Sequence, residues 1–165
     1  MVDPDAALDV EGLRMLFAGD EDGIVHFHVL PLDRAGQGEI RDRDPTAYLN
    51  AFVLRVGNGH GVEPVGRWRP LARNEAHAVL CDTLRWEQAY GGERFELAVA
   101  ERIATGFVDL FDESGRFFTN WHFESTARGL RATSGSGSVT GATFEAGVVA
   151  ADGHRIGLLY VADED

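Results

Sequence analysis

Lysine is absent from all 165 residues, so every permanent positive charge is one of 15 arginines, set against 27 carboxylates for a formal net charge of -12. A surface with that excess repels nucleic acid, whose affinity comes from phosphate neutralisation, and it repels anionic membrane. It attracts cationic surfaces instead, with a long-range field that speeds their encounter. The missing lysine also removes the residue that grips phosphates in a Walker loop, so Ser134-Gly135-Ser136-Gly137-Ser138 reads as a flexible loop and not as a phosphate cradle. Cysteine occurs once, at Cys81, which excludes an intramolecular disulfide; its apolar helical neighbours mark it as a buried, inert thiol. No apolar run approaches the roughly 20 residues of a membrane span, and no basic and then apolar leader opens the chain. A reducing cytoplasm fits that pattern. Catalytic signatures are missing too: there is no G-x-S-x-G elbow and no H-E-x-x-H pair.

What is present is an ordinary core. Hydrophobic residues make up 44% of the chain, and a chain of this length buries about 70% of its unfolded surface, which needs no staples. The expectation is one domain over 1–165, with the acid-rich residues 1–20 as a loosely attached segment. Charge is unevenly placed. Residues 1–22 carry Asp3, Asp5, Asp9, Glu11, Asp20, Glu21 and Asp22 against Arg14 alone, whereas residues 55–73 carry Arg55, Arg67, Arg69 and Arg73 against Glu63. Codon usage in a GC-rich genome turns lysine into arginine without selection on the protein, and a salty cytoplasm favours carboxylates. Patchiness argues for a binding surface over uniform decoration.

Along the chain, Leu8, Leu13, Leu16 and Phe17 give a partial stripe for a short first helix, and Ile24–Leu30 before Pro31 reads as a strand. Residues 33–44 read as an exposed loop. Asp44-Pro45 predicts one helical turn running into a strand over 52–56, and 62–68 returns as an edge strand, since Pro64 cannot donate to ladders on both sides. That edge makes a homodimer by strand addition feasible. Ala76, Val79, Leu80, Thr83, Leu84 and Tyr90 predict a helix over about 71–90, capped by Asn74 and ended by Gly91-Gly92; a second helix covers 93–104 and stops before Gly106. Period two then takes over. Phe107–Phe111 and Phe117–Glu124 flank a hairpin connection at Asp112–Gly115, and Asp152-Gly153 predicts a type I′ turn joining 142–151 to 154–162. That turn pairs Val149 with Ile156, and Ala146 with Leu159, in strands apolar on both faces and therefore covered on both. The fold class is α+β: a mainly antiparallel sheet with C-terminal hairpins packed against one or two central helices.

Three constellations carry candidate chemistry. His26 and His28 share one strand face, and the same alternation sets Asn120, His122 and Glu124 opposite Trp121 and Phe123. If the two strands are neighbours, three imidazoles and a carboxylate converge on one ion, zinc or iron, and a small metal-dependent or ligand-binding enzyme follows; otherwise these are polar residues on a half-exposed sheet. Arg67 and Arg69, flanking Trp68, suit an anion, unless they pair with the chain's own carboxylates. Asp20, Glu21 and Asp22, with Trp68 as an aromatic anchor, suit a basic protein partner. The leading reading is a binding protein, with enzymatic activity left open though disfavoured: an immunity protein or inhibitor that neutralises a basic toxin or nuclease, with an accessory or structural subunit as the remaining alternative.

Overall fold

The computed structural model of the chain describes residues 7–19, 24–41, 44–56, 68–87, 90–127, 129–135 and 144–163, and of 129 and 131–135 the backbone only. Those residues form α1 (Val10–Phe17), β1 (Val25–Pro31), α2 (Arg34–Arg41), α3 (Thr46–Val56), β2 (Arg69–Leu71), α4 (Arg73–Arg85), α5 (Leu97–Asp109), β3 (Arg116–Thr119), β4 (Trp121–Thr126), β5 (Gly129–Gly135), β6 (Phe144–Ala151) and β7 (Arg155–Asp163). The main sheet has the order β1-β7-β6-β3-β2, antiparallel throughout, while β4 and β5 pair as a separate two-stranded ribbon. This is the α+β architecture that the residue pattern predicts.

β6 and β7 sit inside the sheet because their residues are apolar on both faces. Val148, Ala150, Leu159 and Val161 join Leu13, Leu80, Leu84, Ile103 and Phe107, which belong to α1, α4 and α5. Val149, Ala151, Ile156, Leu158 and Tyr160 point the other way and join Leu49, Phe52, Val53 and Ile40 of α3 and α2. The sheet is thus sandwiched between two helical layers, α1/α4/α5 and α2/α3, as two continuous apolar faces require. Both edge strands contain a proline, Pro31 in β1 and Pro70 in β2, at the positions where a missing N–H costs the ladder least. α1 is docked, with Leu13 fully buried and the Asp9 carboxylate capping its Gly12 N–H at 2.8 Å. Among the described residues no helix is long and apolar enough to cross a membrane.

Several local expectations need correction. The supposed loop at 33–44 contains α2, whose first turn is capped by Asp33 Oδ1 accepting from Gly36 N at 2.8 Å and whose Ile40 is buried. α3 is helical throughout instead of turning into a strand: Leu49, Phe52, Val53 and Val56 recur at helical spacing and pack as one stripe, which overrides the β preference of a short Phe-Val-Leu-Arg-Val run. α4 ends at Arg85, and Tyr90, expected in its buried stripe, is 76% exposed. Its N-terminus is closed not by Asn74 but by Glu75, whose carboxylate accepts from Ala72 N at 2.7 Å. α5 runs past Gly106 to Asp109, so Phe107 is helical and no strand precedes Asp112. Gly106 is there for contact, since a Cβ would lie 2.8 Å from Leu8 Cβ and 2.9 Å from its carbonyl oxygen. The last hairpin pairs Ala151 with Ile156 and Val149 with Leu158, two residues off the expected register, so every side chain keeps its predicted face. Neither Asp152 nor Gly153 has positive φ. The loop is Gly153-His154, closed by Asp152 N donating to Arg155 O and by Asp152 Oδ1 accepting from the amides of His154 and Arg155 at 2.7 and 2.9 Å. The side chain supplies the acceptor that a type I′ backbone would have provided. The expected edge strand at 62–67 and the loop at 136–138 lie outside the described residues.

Candidate functional site

The histidine constellation separates. His26 and His28 do share a face: they stand opposite Tyr160 and Leu158, on the side covered by α2 and α3. His122 is exposed on β4, in the other sheet, opposite Ser134. β4 continues from β3, and β3 lies three strand spacings from β1, about 14 Å away, too far for these imidazoles to share a tetrahedral ion. The adjacency that the metal reading needs is therefore not met, because β7 and β6 intervene. Among the described residues no group of three or more His, Cys, Asp or Glu is placed to hold a metal ion. Burial and the neighbouring His26 both hold His28 below the ordinary imidazole range, so it stays neutral near pH 7.

Beside the two histidines runs a buried polar row. Asn120 Nδ2 donates to the Tyr160 hydroxyl at 2.9 Å, and Tyr160 bonds onward to Glu145, which is only 2% exposed. Burial, then the Glu145 charge, drives the Tyr160 phenol well above its ordinary range, so it remains a donor at any physiological pH. Thr119 Oγ1 donates to Gly147 O at 2.7 Å alongside. Such a row cross-links β3, β6 and β7 and helps to fix their register. On the opposite face, Cys81 lies 3.6 Å from His77 Nδ1, and His77 Nε2 lies 3.0 Å from Thr105 Oγ1. Burial first, and then Glu101 and Asp82, push the half-buried thiol up to about 11, so it is no nucleophile at neutral pH.

Arg69, Arg73 and Arg116 bond to backbone carbonyls. Arg73 donates to the carbonyls of Val108, Phe111 and Asp112 at the end of α5 and lies over the Phe117 ring. Arg69 donates to Trp121 O at 3.2 Å, and Arg116 bonds Ile40 O. Arg67 lies outside the described residues, so of the anion-binding pair only Arg69 is placed, and a backbone carbonyl occupies it. Trp68, expected to anchor a partner, is 5% exposed: its ring is in the α2/α3 core and its Nε1 donates to Asn50 Oδ1 at 2.7 Å. That burial withdraws it from any partner. Asp20, Glu21 and Asp22 lie outside the described residues.

A surface the residue pattern did not single out stands between α4 and α5. Arg94 N donates to Arg85 O, and Glu87 N to Gly92 O, which closes a short turn with Trp86 bridged to Glu93 at its neck. Gly91 (φ 71°) makes the reversal that a side chain would resist. Arg85 stacks on the Trp86 ring, 4.5 Å from its centroid, and pairs with Glu93 at 3.0 Å. Arg94 binds Asp163 at the end of β7 and reaches the carbonyls of Thr83 and Trp86, so the neck is tied to the sheet. Trp86 remains 37% exposed. Tyr90 next to Gly91-Gly92 was the available signal, since an aromatic beside a glycine pair sits in a turn, not in a helix stripe.

Neither a family model nor a curated protein nor a solved structure matches the chain.

Proposed function

We propose that this is a cytoplasmic binding protein that captures a basic protein, acting as an immunity protein or inhibitor of a cationic toxin or nuclease. The excess of exposed carboxylates carries this reading. Arg69, Arg73 and Arg116 donate to neutral backbone carbonyls and so hold elements together, with Arg73 also reaching Asp109 at 3.9 Å. Glu39, Glu96, Glu101, Asp109, Glu113 and Glu124 are all exposed. Ion pairs among the described residues include Arg14–Glu11, Arg85–Glu93, Arg94–Asp163 and Arg73–Asp109, the last a long 3.9 Å contact. The net charge of -12 leaves carboxylates in excess of arginines however the residues pair locally, and that excess is the source of the field that steers a cationic partner.

The test passes an extract of the host over the immobilised protein, identifies what is retained, and measures its association with the purified protein between about 0.05 M and about 0.5 M salt. The expected result is a retained protein rich in Lys and Arg whose on-rate falls steeply over that range. Retention of no basic protein, or an on-rate independent of salt, refutes the reading.

A further inference from the structure

The exposed large apolar side chains are not scattered. Of the seven among the described residues, Met15, Leu16, Trp86, Tyr90, Leu97 and Val99 lie on α1, on the α4–α5 turn and at the start of α5; the α2/α3 layer offers only Leu54. Charge divides the same way. Residues 9–17 and 73–109 hold nine carboxylates against five arginines, whereas residues 33–56 hold four of each. Two independent properties thus select one side of the sandwich.

We infer that the outer surface of the α1/α4/α5 layer is the docking face, with Tyr90 as its protruding anchor, and that its occupant is a basic protein and not a second copy of this chain. This rests on the functional reading above. A second copy would bring the same carboxylate excess against itself, whereas a cationic surface is attracted. Tyr and Trp are the side chains that concentrate binding energy when desolvated within a polar rim, and their ring faces also take up the partner's Lys and Arg. The Arg94–Asp163 pair, with side chains 12% and 7% exposed, is a positioning contact: it holds the neck so that Tyr90 is presented in one geometry.

The experiment places the photo-crosslinker p-benzoylphenylalanine singly at position 90, at position 15 or, on the opposite layer, at position 39, in the full chain within its host. Crosslinks from 90 and 15 to one Lys/Arg-rich protein, with none from 39, are expected. In the purified pair, Tyr90→Ala should weaken binding about tenfold or more, with thermal unfolding unchanged. Arg94→Lys should raise the dissociation rate while leaving the salt dependence of the on-rate intact, because it keeps the net charge but loses the guanidinium's contacts to Asp163 and to the Thr83 and Trp86 carbonyls. Crosslinks to the same basic protein from 39 but not from 90 would overturn the docking face and leave the functional reading standing. Crosslinks from 90 to another copy of the chain would overturn the choice of occupant. Capture of no basic protein by the wild-type chain would remove the functional reading itself.

Discussion

Replacing Gly106 by alanine sets two effects of opposite sign against each other. Inside α5 the substitution removes backbone entropy from the unfolded chain, a gain of about 0.5–1 kcal/mol in an open helical site. At Gly106 the site is closed: the new methyl would lie 2.8 Å from Leu8 Cβ and 2.9 Å from Leu8 O, where carbon atoms prefer about 3.5–4.0 Å. A backbone carbonyl does not rotate away as a side chain does, so α1 must retreat, and overpacking of this kind costs about 1–3 kcal/mol. The loss is also bounded. If α1 came away altogether, the forfeit would be the burial of Leu13, fully buried here and worth about 1.5–3 kcal/mol, together with the partial burial of Leu8 and Phe17. The net expectation is no stabilisation and a destabilisation of up to about 2.5 kcal/mol. Gly38, in α2 with nothing within 4 Å of its would-be Cβ, is the control: Gly38→Ala should stabilise by about 0.5–1 kcal/mol. Urea unfolding followed by far-UV circular dichroism, with m-values checked for constancy, measures both. If Gly106→Ala stabilises as much as Gly38→Ala, then α5 and α1 do not touch as described, and the glycine's place inside a helix has another cause.

Leu159→Ala should cost about 2–5 kcal/mol by the same assay, since that side chain is 1% exposed in a central strand; a loss under about 1 kcal/mol would put β7 at an open edge. In the last hairpin, Asp152→Ala should cost about 1–3 kcal/mol by orphaning the His154 and Arg155 amides, while Gly153→Ala should be nearly silent; the reverse order would restore a positive-φ turn. Cys81 should resist alkylation at pH 8 in the folded protein and react at once in urea, because its thiol is held protonated up to about 11 against an ordinary 9.0; the stability linked to it is whole below pH 9 and drains as pH rises toward 11. For His28 the sign is opposite: its folded pKa is depressed, so the unfolded chain binds the proton more readily and stability should fall as pH drops below about 6.5. His28→Gln should flatten that limb, and an unchanged limb would show that the histidine is solvated.

How much of this was legible beforehand depends on whether one chemical signal dominated each segment. The C-terminal strands were readable because Val148-Val149-Ala150-Ala151 and Ile156–Val161 offer no polar face, leaving a doubly covered strand as the consistent reading. The register error of two residues arose where side-chain chemistry outranked the dipeptide rule: Asp152 caps the loop with its carboxylate, so Asp-Gly needs no left-handed backbone. α3 and the end of α5 were misread because Phe, Val and Leu suit both periods, and tertiary burial at helical spacing chose between them. Gly106 failed as a stop signal because a glycine needed for close approach looks, in one dimension, the same as a glycine that ends a helix.

The candidate site was harder to see, and for a reason that bears on the functional reading. Trp68 is flanked by Arg67 and Arg69 and looks like an exposed anchor, yet it is buried; Tyr90 sits in helical phase with Val79 and Leu80 and looks buried, yet it is exposed. Periodicity assigns a face only while the helix lasts, and α4 ends at Arg85, where a neck fixed by Arg94 and Asp163 takes over from a distance of 69 residues along the chain. No local pattern contains that contact. Charge, by contrast, survives the loss of detail: the excess of carboxylates over the α1, α4 and α5 segments is countable before any fold is known, and the fold places those segments in one layer. Long-range electrostatics depends on which layer holds a charge and little on its rotamer, so an expectation of a basic partner can be formed from the chain alone, whereas the proposed anchor can be chosen only once the fold is known.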